Sequence, residues 1–268
     1  MRGRGWLLRL ARAVLGSKPF HFDIGGGTYV EGHLDDWIVL WTFMRLHERD
    51  EPFQRSLRLL RPGDLALDVG ANFGTWSLLA ARRTPAGRVH AFEPVPEMVE
   101  RLRRHVELNG AAGIIVNQYA IGGEDGSSAF FAVREKNTGE SSFVRPGIPA
   151  DQIVVPVVTL DTYVAREGID HVDLLKVDVE GAEILVFKGA RRLLSSDAAP
   201  IVFFEVDRDL CARFGTTPRE VKQLLVHHGY GIYRWRHSAF VGVTVDEPHG
   251  HEDLFALKPH HLARMQRR

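Results

Sequence analysis

At 268 residues, with 44% apolar and 25% charged positions, the chain is long enough for one substantial core and too apolar for a disordered or fibrous protein. Its 34 Lys and Arg balance 34 Asp and Glu, so bulk electrostatics give no reason to expect nucleic acid as a partner. A single cysteine, Cys211, excludes an internal disulfide and a multi-cysteine zinc site and suits a reducing, cytoplasmic setting, and no apolar run reaches the roughly 20 residues of a membrane-spanning helix.

In "MRGRGWLLRLARAVLGSKPF" the apolar Leu7, Leu10 and Val14 recur at helical spacing, with Arg2, Arg4, Arg9 and Arg12 as a basic side. Arg9 and Arg12 interrupt the uncharged stretch that a secretory leader needs, so a terminal helix is expected. Two placements stay open for it: packed on the domain, or laid on a membrane surface or a partner. "DIGGGTYV" (23–30) reads as a turn feeding a short strand, and the dense apolar positions of 34–60 read as helix. Residues 1–61 are therefore expected to form an N-terminal helical extension, and "RPGD" (61–64) is the turn that launches the first buried strand.

From there strand and helix alternate. "LALDV" is a strand and "TWSLLAARR" a helix; "RVHAFE" is a strand and "PEMVERLRRHVELNG" a helix closed by Asn109 and Gly110; "IIVNQYAI" is a third strand. Such alternation implies right-handed crossovers and a mainly parallel sheet with helices on both faces. It pauses over "SSAFFAVREKNTGESSF" and "QIVVPVVTL", which read as a hairpin inserted at the rim. It resumes with the helix "LDTYVAREG", the strand "VDLLKVDV", the helix "AEILVFKGARRLL", the strand "PIVFFEVD" and the helix "PREVKQLLVHHG". "YGIYRWR" and "EDLFALKP" close the series as a final hairpin, giving one domain over 62–258 and a tail over 259–268. The histidines at 227–228 suit a helix end, and those near the C-terminus read as exposed, with no metal-ligand spacing among them.

The turn after the first strand carries the chemistry. A dinucleotide site wants G-x-G-x-x-G, whose middle glycine lets backbone approach a pyrophosphate. Here Gly70-Ala71-Asn72-Phe73-Gly74 has Asn72 in the middle, and its last glycine comes one residue early. S-adenosylmethionine has no phosphate and asks instead for a tight turn, an acid near its amino group and an acid on its ribose hydroxyls. Asp68 can serve the first acid role, directly or through water. Glu93, ending the next strand, can accept from both hydroxyls of a diol. Further on, "DLLKVDVEGAE" (173–183) runs an apolar strand into Lys176, Asp178 and Glu180 on the same sheet edge, and Glu205 ends the following strand there. Converging carboxylates are costly unless protonated, paired or metal-bound, and Lys176 is the candidate partner. Glu183 is expected at the start of the following helix, where its charge suits the dipole.

Together "DVGANFGTWSLLAA", "VHAFEPVPEMVERLRRHVELN", "NQYAIGGEDG", "TLDTY", "DLLKVDVEGAEILVFKGA" and "IVFFEV" resemble the FkbM-type methyltransferases, over about residues 62–206. The resemblance implies a class I methyltransferase (Rossmann-like) α/β fold: a seven-stranded, mainly parallel sheet with an antiparallel final strand, using S-adenosylmethionine to methylate hydroxyls of sugars or polyketide-type products. By motif position Asp68, Gly70, Asn72, Gly74 and Glu93 would contact the cofactor, with Ala71 and Pro94 beside them, and Asn117, Ala120 and Ile121 would border the adenine. Ser141 and Ser142 of "GESSF" would line the acceptor side, unless that segment is a plain hairpin turn.

Methylating a hydroxyl needs a general base or a metal that acidifies it. Asp178 is the first candidate and Glu180 the second, and Asp178 with Glu205 is the pair a Mg²⁺ ion would use. The expected partner is a small-molecule or glycan acceptor, not nucleic acid. A cofactor-binding protein without activity, and an NAD-dependent oxidoreductase, are the competing classes.

Overall fold

The structure is a computed structural model; it describes residues 19–33, 51–134, 138–248 and 250–266. The basic segment 1–18 and most of the apolar stretch 34–60 lie outside the described residues. Within the expected helical extension the described part opens with a hairpin. Strands β1 (Phe20–Asp23) and β2 (Tyr29–Gly32) pair antiparallel. Asp23 organises their turn, its carboxylate accepting from the backbone amides of Gly25, Gly27 and Thr28. Helix α1 (Pro52–Leu59) follows, with Pro in its first turn, where a missing amide costs nothing.

The strands and helices then come as the alternating pattern requires: β3 (Leu65–Val69), α2 (Thr75–Arg83), β4 (Arg88–Phe92), α3 (Pro96–Leu108) and β5 (Ile114–Asn117). The third strand ends at Asn117. Ala120 and Ile121 belong to a separate short strand, β6, which joins β7 (Gly126–Ala132) and β8 (Asp151–Val158) in a small sheet of order β6-β8-β7. The inserted hairpin is therefore β7–β8, widened by β6.

After α4 (Leu160–Arg166) come β9 (Leu174–Val177), α5 (Glu183–Lys188), α6 (Arg191–Ser195), β10 (Ile201–Asp207), α7 (Arg208–Arg213) and α8 (Pro218–His227). The chain closes with β11 (Gly231–Arg236), β12 (Ala239–Val243), β13 (His251–Leu257) and α9 (Pro259–Gln266). The residues expected as a tail thus include a helix. His261 on it is buried, bonded to the amide of Lys258 and the carbonyl of Ala199, and is not one of the exposed histidines expected there.

The central sheet runs β12-β11-β13-β10-β9-β3-β4-β5. Strands β5, β4, β3, β9 and β10 are parallel, and β13 is antiparallel to both β10 and β11. That is the order and the antiparallel strand of the class I methyltransferase sheet, with one strand more than the seven expected. The extra strand arises because β11 turns back through His237 and Ser238 into β12, so the final hairpin is β11–β12 while β13 inserts between β10 and β11.

Side chains alternate across the sheet, so each face has its own core. Leu67, Phe92, Tyr163, Phe187 and Phe204 fill one face, and Phe73, Trp76, Leu102, Phe203 and Phe255 the other. The connections leave β3 toward one edge and β9 toward the other. Between their carboxyl ends lies the switch point, the crevice where open α/β sheets bind ligands.

Candidate active site at the carboxyl ends of β3, β4 and β9

The turn after β3 is held by β4. The amides of Gly70 and Ala71 both donate to the Phe92 carbonyl, at 3.1 and 2.9 Å. Gly70 has φ +80°, and a Cβ there would overlap the carbonyl oxygen of Asp178, so only glycine lets the β3 and β9 walls touch. Asn72 is left-handed (φ +48°), a conformation its short polar side chain tolerates; its Oδ1 accepts from the Phe73 amide at 2.8 Å. Gly74 opens α2 and faces Leu102, into whose methyl a Cβ would run.

Glu93 stands at the end of β4 with both carboxylate oxygens on backbone amides. Oε2 accepts from Asn72 and Oε1 from Val95, each at 2.9 Å. The group is buried, and desolvation pushes its pKa up to about 7 in spite of those two amides. Behind the turn, His105 of α3 donates its Nδ1 proton to the Phe73 carbonyl and accepts at Nε2 from the Glu31 amide of β2. Burial holds this imidazole neutral by lowering its pKa to about 4, which suits one donor and one acceptor nitrogen.

The β9 wall is more acidic. Asp178 follows β9 with its amide on the Val69 carbonyl and its side chain 45% exposed. Lys176 Nζ lies 3.5 Å from Asp178 Oδ2 and 3.0 Å from Asp68 Oδ1. Glu180 is left-handed (φ +55°) and partly buried; burial, then the charges of Asp178 and Glu183, push its pKa well above the usual carboxylate range. Glu183 turns its Oε1 back onto the amides of Val179 and Gly181, fixing the loop that leads into α5.

A cleft lies between these walls. Of the residues expected at the site, Gly70, Asn72, Glu93, Pro94, Ala120, Ile121, Ser141, Asp178 and Glu180 line it. Asp68, Ala71, Gly74, Asn117 and Ser142 do not. Asp68 is fully buried beneath the turn, where Ser77 Oγ donates to its Oδ2 at 2.6 Å and Lys176 meets Oδ1. Asn117 turns inward: its Oδ1 accepts from the Tyr163 hydroxyl, which also meets His90 Nδ1 at 2.7 Å. Ala71 and Gly74 are packing positions of the turn, and Ser142 ties the small sheet to the Glu180 carbonyl through its Oγ. The small sheet and its loops add aromatic wall that the sequence did not single out, Tyr119, Phe130 and Phe143.

Glu205 is outside the cleft lining and faces His251 Nδ1 at 3.3 Å. Among the described residues no group of three His, Cys, Asp or Glu side chains is gathered for a metal ion, so the Asp178–Glu205 pair gains no support as a Mg²⁺ site. Nor is there among them a helix long and apolar enough to cross a membrane.

The walls fit a nucleoside with an amino-acid arm. Glu93 presents a carboxylate anchored on two backbone amides, the kind of group a diol can donate to, and Tyr119 and Ile121 add apolar wall.

A family model described as the methyltransferase FkbM domain matches residues 68–232. The 31-O-demethyl-FK506 methyltransferase FkbM of Streptomyces tacrolimicus is 31% identical over 218 residues, 70% of this chain and 80% of that protein. Methyltransferase 1 of Beauveria bassiana is 30% identical over 143 residues, 46% of this chain and 57% of that one. The hexuronic acid methyltransferase AglP of Haloferax volcanii is 24% identical over 186 residues, covering 69% and 71% of the two chains.

Proposed function

Because the chain belongs to the FkbM-domain methyltransferases, which use S-adenosylmethionine, we propose that it methylates a hydroxyl oxygen of a sugar, glycolipid or polyketide-like acceptor, with Asp178 as the general base. The oxygen acceptor is in keeping with the 31-O-demethyl acceptor in one relative's name, and the sugar with the hexuronic acid in another's. Neither competing class is retained: the matched family is one of methyltransferases, and Asp178 gives the cleft a group suited to the chemistry.

Bound in the cleft, the cofactor would supply an electrophilic methyl group. Glu93 and Pro94 would hold the ribose side and the Gly70–Asn72 turn the amino-acid arm, while Ala120, Ile121 and Tyr119 would border the base. Asp178 carries the proposal, because it is an accessible carboxylate on the cleft wall opposite Glu93. It would accept the hydroxyl proton as the oxygen bonds to the methyl carbon and the carbon–sulfur bond breaks, and the Lys176 ammonium stands 3.5 Å from its Oδ2. Glu180 suits a different task. Burial and the neighbouring carboxylates raise its proton affinity, which favours the protonated form and suits it to donate a hydrogen bond to the acceptor.

The test is a methyl-label transfer screen over nucleotide sugars, glycolipids and polyketides, with product analysis by mass. Label on a hydroxyl oxygen is the expected result. Label on nitrogen or carbon alone would overturn the oxygen assignment, and cofactor binding with no product in any class would restore the non-catalytic reading.

A further inference from the structure

Lys176 is a buried cation that does not line the cleft. It sits directly across from Asp68 in the β3–β9 register. Its Nζ donates to the Gly70 carbonyl at 2.9 Å, meets Asp68 Oδ1 at 3.0 Å and lies 3.5 Å from Asp178 Oδ2. Glu93 is a further acid within its field. Burial alone would lower the proton affinity of this amine, but the charges of Asp68 and then Asp178 outweigh it, and the net shift is upward. The charged form is therefore favoured, and the ammonium has three donors to place.

Neutralising Asp68 accounts for one of those contacts. It does not account for the shortest one, because a carbonyl carries no charge to neutralise. Gly70 is also the point where the two cleft walls come so close that a Cβ on it would overlap the Asp178 carbonyl. We propose that Lys176 is a positioning residue of the nucleoside cleft: its ammonium locks the Gly70 carbonyl to the wall that carries Asp178, and the cleft loses its binding shape without it. The inference rests on the cofactor reading above.

Calorimetric titration of the full chain with S-adenosylhomocysteine, alongside thermal melting, separates positioning from charge balance. Lys176→Met keeps an unbranched side chain one atom shorter, without the ammonium, and strands Asp68; it should lower the Tm and weaken binding at least about tenfold, a loss in keeping with a missing charge-assisted hydrogen bond. Asp68→Asn should stay within about threefold of the wild type, since its own bonds lie beneath the turn. The double variant Asp68→Asn with Lys176→Met removes the stranded charge. It should regain most of the Tm while remaining at least about tenfold weaker in binding, which a purely structural role would not produce. A double variant that binds within about threefold of the wild type overturns the proposal and leaves Lys176 as the counter-ion of Asp68. Should neither variant fold, the ¹⁵N-labelled lysine ammonium signals of the wild type decide. The Lys176 signal should move when S-adenosylhomocysteine is added, and an unmoved signal under saturation overturns the proposal. A wild type that binds no S-adenosylhomocysteine removes the cofactor reading itself and takes the proposal with it.

Discussion

The wall that carries Glu93 and the wall that carries Asp178 both end in a carboxylate, yet they are built differently. Glu93 is buried, and each of its oxygens is fixed by a backbone amide, so its position is set by the turn and by β4 together. Asp178 is half exposed, and Lys176 at 3.5 Å is its nearest charged partner. An acid that must recognise a fixed diol gains from being anchored, because little ordering is left to do on binding. An acid that must take up a proton gains from an accessible oxygen. The difference in anchoring is in keeping with the binding role proposed for Glu93 and the chemical role proposed for Asp178.

The largest effect should come from breaking the contact between the walls. Gly70→Ala puts a methyl group into the Asp178 carbonyl at a left-handed φ. The conformational cost and the overpacking together are roughly 2–5 kcal/mol. Melting should show the loss of stability, and titration with S-adenosylhomocysteine should show no saturable binding. Gly74→Ala is the contrasting case: it carries the same left-handed strain (φ +94°), but its methyl meets the end of the Leu102 side chain and not backbone, so it should lower the Tm yet retain binding. Equal damage from both would mean that the two walls need not touch for the cleft to form.

Next in size is Asp178→Asn, which keeps the shape of the side chain and removes its basicity. Turnover on an acceptor from the label screen should fall at least about a hundredfold, or about 2.7 kcal/mol in barrier, while cofactor affinity changes little. A near-normal rate would end the claim that the unanchored acid is the chemical one and would move attention to Glu180. Glu93→Ala should do the reverse. Its expected cost is about 1–3 kcal/mol in cofactor affinity, the range for hydrogen bonds to a charged group, and calorimetry reads it directly.

Much of this contrast was legible in the chain. Strand-terminal acids after apolar runs put Glu93 and Asp178 on one edge, and the alternation of Lys176, Val177 and Asp178 left Lys176 and Asp178 on the same side of the strand. The fate of Asp68 was not legible. Its position in the motif suggested the ligand, but whether it reaches one depends on what packs over it, and β9 sets Lys176 and α2 sets Ser77 against it. Asn117 failed similarly, because its partner Tyr163 is distant in sequence and meets it only through packing beneath the sheet. The small sheet was half legible. Hairpin β7–β8 shows in its local pattern, whereas the parallel pairing of β6 with β8 is a long-range contact that leaves no periodic trace. His105 looks like any amphipathic helix position, and nothing local marks it as the support of Phe73.

The smallest predicted effect concerns protons, and it tests the anchored wall without any mutation. Glu93 has a pKa pushed up to about 7 by burial, so near neutral pH a good part of it is protonated. Two ribose hydroxyls need an acceptor on each oxygen, and only the ionised form offers both. Binding must then release a proton from Glu93, and affinity is fully present above the pKa and lost as pH falls through it. Between pH 8 and pH 6 the affinity for S-adenosylhomocysteine should fall about tenfold, the linkage expected for one group titrating near 7. Two charges face the same carboxylate, Lys176 lowering its proton affinity and Asp68 raising it, so neither alone sets the midpoint. Glu93→Gln should bind more weakly at pH 8 and lose most of the pH dependence, because the amide does not titrate. A wild-type affinity that is flat between pH 6 and pH 8 would show that Glu93 meets the ligand already protonated. The anchored acid would then be a hydrogen-bond donor in that complex, and its two backbone amides would be serving the turn and not the diol.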